Sequence, residues 1–277
     1  MITGSASFSV KPLHTLPNEN SLFLCFCDLC ILLSQDSEEL RLPTWHEVKS
    51  LLPPAYVPFQ LANSADTVLF CPNPFEPIKI EEGNGLQYHP ISVFHHMDVQ
   101  NASLLASAYH LWSWYTLHRH CGRCGQPLSP DGEERALRCA NCGLLIFPTI
   151  SPAIIVAITD GDKILLAKNV RSELNHYALI AGYVEVGETL EHAVYREALE
   201  EVGLPLHSLR YLGNQPWGIS GSQMFGFHAH ADSSQPILLQ QSELSDAKWF
   251  DRQALEPHSD GMSIAFTLIE RFRTGRL

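Results

Sequence analysis

Long apolar runs are missing from this 277-residue chain. The longest, Leu22 to Leu33, covers about a dozen residues and has Asp28 inside it, well short of the roughly 20 that a membrane-crossing helix needs. Cationic excess is missing too: Lys and Arg number 18 against 30 Asp and Glu, a net charge of −12. A body this acidic repels phosphate backbones at long range. That excludes broad electrostatic binding of nucleic acid, but not the gripping of one small phosphate ligand together with cations. No basic segment leading to a small-residue cleavage site is found, so no signal peptide is expected and the protein is read as cytoplasmic. Internal repeats and low-complexity linkers are absent as well. What remains is an ordinary globular composition, 45% hydrophobic and 17% charged. It is long enough for one large domain or two smaller ones whose cores need no disulfide staples.

The eight cysteines fall into two groups. Cys121-Gly-Arg-Cys124 and Cys139-Ala-Asn-Cys142 are knuckles separated by fourteen residues, a spacing that can put four thiolates on one tetrahedral Zn²⁺. Gly125 and Gly143 follow the knuckles and permit the tight turns that bring backbone N–H groups toward sulfur. Four thiolates leave no open position, so the zinc would be structural. Two disulfides are the alternative, disfavoured because nothing marks the chain as secreted. Cys25, Cys27, Cys30 and Cys71 sit among apolar residues and read as buried free thiols, with a second metal or redox site as the alternative. The histidines near the ribbon, His118 and His120, and the pairs His95-His96 and His228/His230 read as surface or packing residues.

Up to about residue 100 short β-like runs alternate with prolines and polar clusters: Phe8–Val10, Leu22–Phe26, Thr67–Phe70 and Ile78–Ile80. A helix follows, with Asn101 able to cap it and Leu104, Leu105, Ala108, Leu111, Trp112 and Tyr115 at helical spacing, a stripe suited to a core or a dimer contact. From Pro152 on, Ala153–Ile158 and Lys163–Lys168 flank Asp160-Gly161-Asp162 as a hairpin. Tyr177–Ile180, Leu209–Leu212, Gln223–Ala229 and Ala247–Phe250 are further strand candidates, and Met262–Phe272 a last helix. The expected domains are a β-rich one ending in a helix over 1–118, the ribbon over 119–148 and a third over 149–277.

Thr189 to Val202 suits a helix, opened by a turn at Gly187 and stopped by Gly203. On it Glu197, Glu200 and Glu201 share one face. Crowded carboxylates cost a helix a few tenths of a kcal/mol per pair, roughly, so helix stability gives no reason for the trio. A hard divalent cation does, since oxygen-only ligands select Mg²⁺ or Mn²⁺ over zinc. Arg196 can fork onto Glu188 or Glu197 and fix its direction. A merely solvated acidic face is the bland alternative, and the surrounding glycines speak against it.

Gly182-x5-Glu188-x7-Arg196-Glu197-Ala198-x-Glu200-Glu201-x-Gly203-Leu204 fits nine constrained positions over 23 residues. It resembles the signature of the Nudix hydrolases. A four-cysteine ribbon just before it, and Gln215-Pro216-Trp217 after it, look like the NADH pyrophosphatase branch of that family, the NAD-capped RNA hydrolases. Where that branch has Pro-Phe-Pro, this chain has Gly218-Ile219-Ser220. Two stiffening prolines are lost and Gly218 and Gly221 loosen the segment, so a more mobile loop is expected.

The resemblance implies the Nudix fold, a mixed sheet between helices in an α+β or α/β arrangement, and metal-dependent hydrolysis of a nucleoside diphosphate derivative. It implies Mg²⁺ or Mn²⁺ on Glu197, Glu200, Glu201, the later Glu243 and the Ala181 carbonyl, with Glu201 the first candidate for the base and Glu243 the second. It places substrate contacts at Glu134, Phe147, Tyr183, Ala265 and the stretch Gln215, Pro216, Trp217, Gly218, Ile219, Ser220, Gly221 and Ser222. For Trp217 plain core packing is an equal alternative. NAD(H), or the 5′ end of NAD-capped RNA, is the implied substrate, with no membrane and a homodimer. Another Nudix activity, such as ADP-ribose hydrolysis, is the rival, and a non-catalytic RNA- or protein-binding module the more distant one.

Overall fold

The computed structural model describes residues 16–36, 39–64, 67–76, 78–170, 176–257 and 263–277. They form two compact units, divided in sequence between Thr149 and Ile150. The first unit holds β1 (Leu22–Phe23), β2 (Phe26–Cys27), β3 (Cys30–Asp36), β4 (Glu39–Arg41), the one-turn α1 (Trp45–Val48), β5 (Phe59–Ser64), β6 (Thr67–Cys71), β7 (Leu86–Pro90) and the long α2 (Val99–Leu117). β1, β6 and β5 make one sheet; β2, β3 and β4, with β7 on β3, make another. The single strand expected over Leu22–Phe26 is therefore two: the chain leaves the first sheet after Phe23 and joins the second at Phe26.

Phe23, Leu32, Phe70, Ile80 and Leu86 fill the core of this unit together with Cys25. Cys25 and Cys71 are buried free thiols, both pushed up by burial, and behave as small hydrophobes. Ile78–Ile80 is not a strand; Ile80 is buried through its side chain without joining a ladder. Nor does Asn101 cap α2. Asp98 does, accepting the N–H groups of Gln100 and Asn101, so the helix starts earlier. The aromatic stripe of α2 serves the core, with Tyr109 and Trp112 against Phe26 and Tyr115 against Phe59. Beyond α2 lie β8 (Leu128–Pro130), β9 (Leu137–Cys139) and β10 (Leu145–Ile146), a small antiparallel sheet carrying the knuckles. The expected strand at Phe8–Val10 lies outside the described residues, as does Met262.

The second unit comprises β11 (Ser151–Asp160), β12 (Lys163–Asn169), β13 (Ile180–Tyr183), α3 (Leu190–Val202), β14 (His207–Trp217), β15 (Ser222–His230), β16 (Leu244–Asp251) and α4 (Ile264–Arg273). Its sheet runs β14-β15-β11-β12-β16, with β13 also on β11; β15 is parallel to β11 and the other pairings are antiparallel. Alternation along β11 builds both layers. Ile154, Val156 and Ile158 pack on Ala193, Val194, Ala198 and Val202 of α3. Ile155 and Ala157 pack on Ile264, Leu268 and Phe272 of α4. Each fully buried aliphatic side chain contributes ~1.5–3 kcal/mol, so these two layers fix α3 and α4 on opposite faces.

The β11–β12 hairpin turns at Gly161-Asp162, as the sequence suggested. The strand expected at Tyr177–Ile180 begins at Ile180 instead, leaving Ala178 in a single bridge to Ala167. β14 is much longer than Leu209–Leu212. It continues through Gln215-Pro216-Trp217, because β14 is an edge strand, where a proline removes no needed donor. Gln215-Pro216-Trp217 is thus one arm of a hairpin, paired to Trp217↔Ser222, and the segment read as a loosened loop is its turn. Only residues 218–221 form the turn, with Gly221 at φ 66°. Among the described residues no helix is long and apolar enough to cross a membrane.

Candidate active site and zinc ribbon

α3 is framed as its sequence demands. Thr189 caps it by accepting the His192 N–H, and Gly203 ends it at φ 70° with its N–H on the Ala198 and Leu199 carbonyls. While one face goes to the core, the stripe beside it carries Glu197 and Glu201, both buried, and the exposed Glu200. Arg196 spends all five of its N–H donors here. Nε and Nη2 grip Glu188 at 2.9 Å each, Nη1 meets Glu197 at 2.7 Å and Glu200 at 3.2 Å, and Nη2 also meets the Tyr183 carbonyl at 3.0 Å. The guanidinium, then the Glu185 backbone N–H, holds the Glu188 carboxyl down to about 2. Glu188 therefore ties the opening turn to the helix.

Glu201 differs. Among the described residues no donor reaches its carboxylate; burial, then the charges of Glu197, Glu243 and Glu200, pushes it up to about 8. Burial also raises Glu197 against the pull of Arg196. Glu243 comes in on the turn that ends at β16. Its N–H bonds the Gln240 carbonyl at 2.9 Å, Gln240 Nε2 reaches its carboxylate at 3.3 Å, and the Gln240 N–H bonds the Glu201 carbonyl at 3.0 Å. Strand β13 presses on the same helix. A Cβ built on Gly182 would fall 2.0 Å from Glu197 Oε1, so any side chain there would push the Glu197 carboxylate from its place beside Arg196.

These groups line a cavity of about 580 Å³ with Ala181, Tyr183, Ser220 and Ser222 on its other side. A partly buried set of carboxylates facing one hollow is costly unless a cation joins it, and oxygen donors suit a hard divalent ion. The glutamates are spaced apart, with Arg196 between Glu197 and Glu200. That spacing suits ions that keep water ligands.

The cysteine site is tighter. Among the described residues Cys121, Cys124, Cys139 and Cys142 are the one group of three or more His, Cys, Asp or Glu whose ligand atoms all lie within 4.8 Å of one another. Cys121 and Cys142 sulfurs are 3.6 Å apart, and those of Cys124 and Cys139 are 3.5 Å apart. Zn–S bonds of about 2.3 Å put tetrahedral sulfurs about 3.8 Å apart, so the cage fits zinc. Gly125 and Gly143, at φ 74° and 72°, turn back onto the Cys121 and Cys139 carbonyls. The Gln126 backbone N–H, with the Asn141 side chain, lowers the Cys124 thiol to about 6, toward the thiolate that a metal takes.

The comparisons with known proteins agree with both halves. Residues 149–272 match the NUDIX domain model, and residues 117–147 match the NADH pyrophosphatase zinc ribbon domain. The NAD-capped RNA hydrolase NudC of Pseudomonas aeruginosa (strain LESB58) is 38% identical over 202 residues, 73% of this chain and 71% of that one. The chain belongs to the Nudix hydrolase family. A protein of the same name from Stutzerimonas stutzeri (strain A1501) is 41% identical over 174 residues, 63% of either chain. A crystal structure of a NUDIX hydrolase from Nitrosomonas europaea overlaps 57% of this chain and 92% of its own, at TM-score 0.47 and 18% identity.

Within this Nudix hydrolase the expected site residues divide. Ala181, Tyr183, Arg196, Glu197, Glu200 and Glu201 line one cavity, as do Ser220, Ser222 and Glu243. Gln215 and Trp217 do not line it, although their register opposite Met224 and Ser222 sets them on the same face. Gln215 is buried, and among the described residues its Oε1 has no hydrogen-bond partner. Pro216 points to the other face, Gly218, Ile219 and Gly221 form the turn, and Ala265 sits in the first turn of α4 against the core. Glu134 and Phe147 are exposed in the first unit, Glu134 on a turn where the Asp131 carboxylate accepts its N–H. The sequence reading missed Ala153, Asn169, Glu185, Met224 and Gln240 as cavity-lining residues. Gln240 had a signal, since it lies three residues before Glu243, and Met224 had one as the methionine kept from the branch's segment; Ala153 had none beyond its strand.

Proposed function

We propose that this chain hydrolyses the pyrophosphate bond of NAD(H) to AMP and nicotinamide mononucleotide, and removes NAD caps from RNA 5′ ends to leave a 5′-monophosphate. The observation that carries the reading is Glu201: a buried carboxylate that no donor among the described residues reaches, in a cavity with Glu197, Glu200 and Glu243. The ribbon and the relatives' names support the choice of substrate. Glu197, Glu200, Glu201, Glu243 and the Ala181 carbonyl would hold Mg²⁺ or Mn²⁺, which when bound supplies neutralising charge for the diphosphate and acidity for a water. Glu201 takes the proton of the attacking water at its carboxylate, with Glu243 as the second candidate. Arg196 keeps Glu197 and Glu200 aimed, and Glu188 holds Arg196. Tyr183 offers a half-exposed ring as a wall for a base. The four cysteines hold a structural Zn²⁺, and the working form is a cytoplasmic homodimer.

Gly218-Ile219-Ser220 in place of Pro-Phe-Pro favours a second reading, in which another nucleoside diphosphate derivative such as ADP-ribose is preferred. A panel of NADH, NAD⁺, ADP-ribose and NAD-capped RNA, at fixed Mg²⁺ and Mn²⁺ with products identified, separates the two. Turnover of NADH or NAD-capped RNA with AMP and nicotinamide mononucleotide, or the monophosphate end, is expected. A clear preference for ADP-ribose overturns the first reading.

A further inference from the structure

The departure from the family motif at Ser220 adds a hydroxyl beside the cavity. Ser220 Oγ lies 2.8 Å from Ser222 Oγ, and the Ser222 hydroxyl donates to the Tyr183 phenolic oxygen at 3.3 Å. A hydroxyl has one proton. Because Ser222 gives its proton to Tyr183, Ser220 is the donor to Ser222, and the chain runs from Ser220 through Ser222 to Tyr183. The Tyr183 proton is left pointing away from Ser222.

The sheet register explains how three distant residues meet. Tyr183 of β13 lies opposite Ala153 of β11, and Ala153 lies opposite Met224 of β15. Ser222 stands two residues before Met224, on the same face and opposite Ser151. The phenol reaches Ser222 only by leaning diagonally across β11, and the small side chain of Ala153 leaves room for that. All five of these positions but Ser151 line the cavity, as does Ser220. The middle hydroxyl is buried, while Ser220 and Tyr183 are exposed, Tyr183 by 54%. The ring is only half covered, so packing holds it in part and the hydroxyl chain adds a fixed point for its tilt.

We propose that Ser220 is a positioning residue: acting through Ser222, it fixes the Tyr183 ring and turns the phenolic proton toward an oxygen acceptor on a nucleoside diphosphate ligand. The inference rests on the functional reading above and adds to it a specificity device peculiar to this turn. Chained hydroxyls polarise one another, so the outermost donor is strengthened by the two behind it.

The test is steady-state kinetics of S220A, S220T, Y183F and the double variant S220A/Y183F on the substrate that the parent turns over fastest in the panel. Equilibrium binding of NAD⁺ by calorimetry runs in parallel. S220A is expected to raise KM about five-fold, the factor set by one hydrogen bond of ordinary worth, with a smaller change in kcat. S220T keeps the hydroxyl and stays within about two-fold of the parent. Y183F raises KM at least as much, and adding S220A to it changes nothing further, because Ser220 acts only through the phenol. Parental KM and NAD⁺ affinity in S220A overturn the inference, as does an S220A effect of full size in the Y183F background. A parent that turns over nothing in the panel sinks the functional reading instead. In that event the NAD⁺ affinities of the same variants still decide the positioning role, and absence of NAD⁺ binding sinks both.

Discussion

The ribbon and the acidic face of α3 are two answers to the same problem, crowding like-charged ligand groups in one place. In the ribbon four sulfurs converge within 4.8 Å, held by knuckle turns and backbone N–H groups. Nothing but a metal is needed to complete it. On α3 the carboxylates stay apart, and an arginine occupies the space between two of them. The difference teaches what each site is for. A closed cage of soft ligands makes structure, whereas a spaced set of hard ligands with one partnerless member leaves positions for water and substrate.

That contrast can be broken in order of expected effect. Cys139→Ser removes a cage ligand, and zinc holds such folds with ~10–16 kcal/mol of apparent binding energy in small domains. The variant should lose its bound zinc, measured by metal analysis, and the cooperative unfolding of the ribbon. A zinc-replete, normally folded variant would contradict a structural cage. Glu201→Gln should do the reverse. Turnover at saturating Mg²⁺ falls by about 10²–10⁴-fold, with no loss of melting temperature, because the amide replaces a carboxylate that no donor reaches. Near-parental turnover would remove Glu201 from the role of base.

Arg196→Lys keeps the positive charge but gives up the two-pronged hold on Glu188. A drop of about 10–100-fold in activity is expected, with weaker Mn²⁺ binding by titration, and an unchanged Mn²⁺ affinity would count against the aiming role. Gly182→Ala tests packing rather than charge. Its Cβ would fall 2.0 Å from Glu197 Oε1, so destabilisation of about 1–3 kcal/mol is expected in denaturant melts, together with reduced activity. An alanine variant as stable as the parent would mean that the Glu197 carboxylate can swing aside.

The smallest effect compares a partnered acid with the partnerless one. In the first unit Glu47 accepts both Nη groups of Arg41 and also the Thr44 N–H, and Arg41 foremost lowers its carboxyl from 4.5 to about 2. The native state therefore binds this proton more weakly than the unfolded chain. Its contribution is complete above about pH 4.5 and is lost as pH falls toward about 2. The side chain is partly exposed, so Glu47→Gln should cost only about 1 kcal/mol at neutral pH and nothing near pH 2, read from urea melts at both values.

Much of α3 was legible because its constraints are local. Thr189 and Gly203 mark the ends, spacing puts the glutamates on one face, and the knuckle glycines announce the ribbon turns. Ala181, Tyr183, Ser220 and Ser222 of the far wall were expected from the resemblance, but the pairing that joins them through Ala153 was not, because it is made by register. The parallel pairing of β11 with β15 brings Met224 beside Ala153, and no short-range pattern encodes which strands will be neighbours. Local rules also misled. Leu209–Leu212 reads as a short strand, whereas β14 runs on through Pro216 because it is an edge. Ile78–Ile80 reads as strand, although a single buried side chain at Ile80 accounts for its apolar character.

Every N–H of Arg196 already has an acceptor within the protein. This guanidinium therefore has nothing left to offer an incoming anion, despite lining the same hollow as the glutamates. A bare dinucleotide would meet repulsion there, so its affinity should climb steeply with added divalent salt, and an inhibitor that carries its own cationic arm could bypass that dependence altogether.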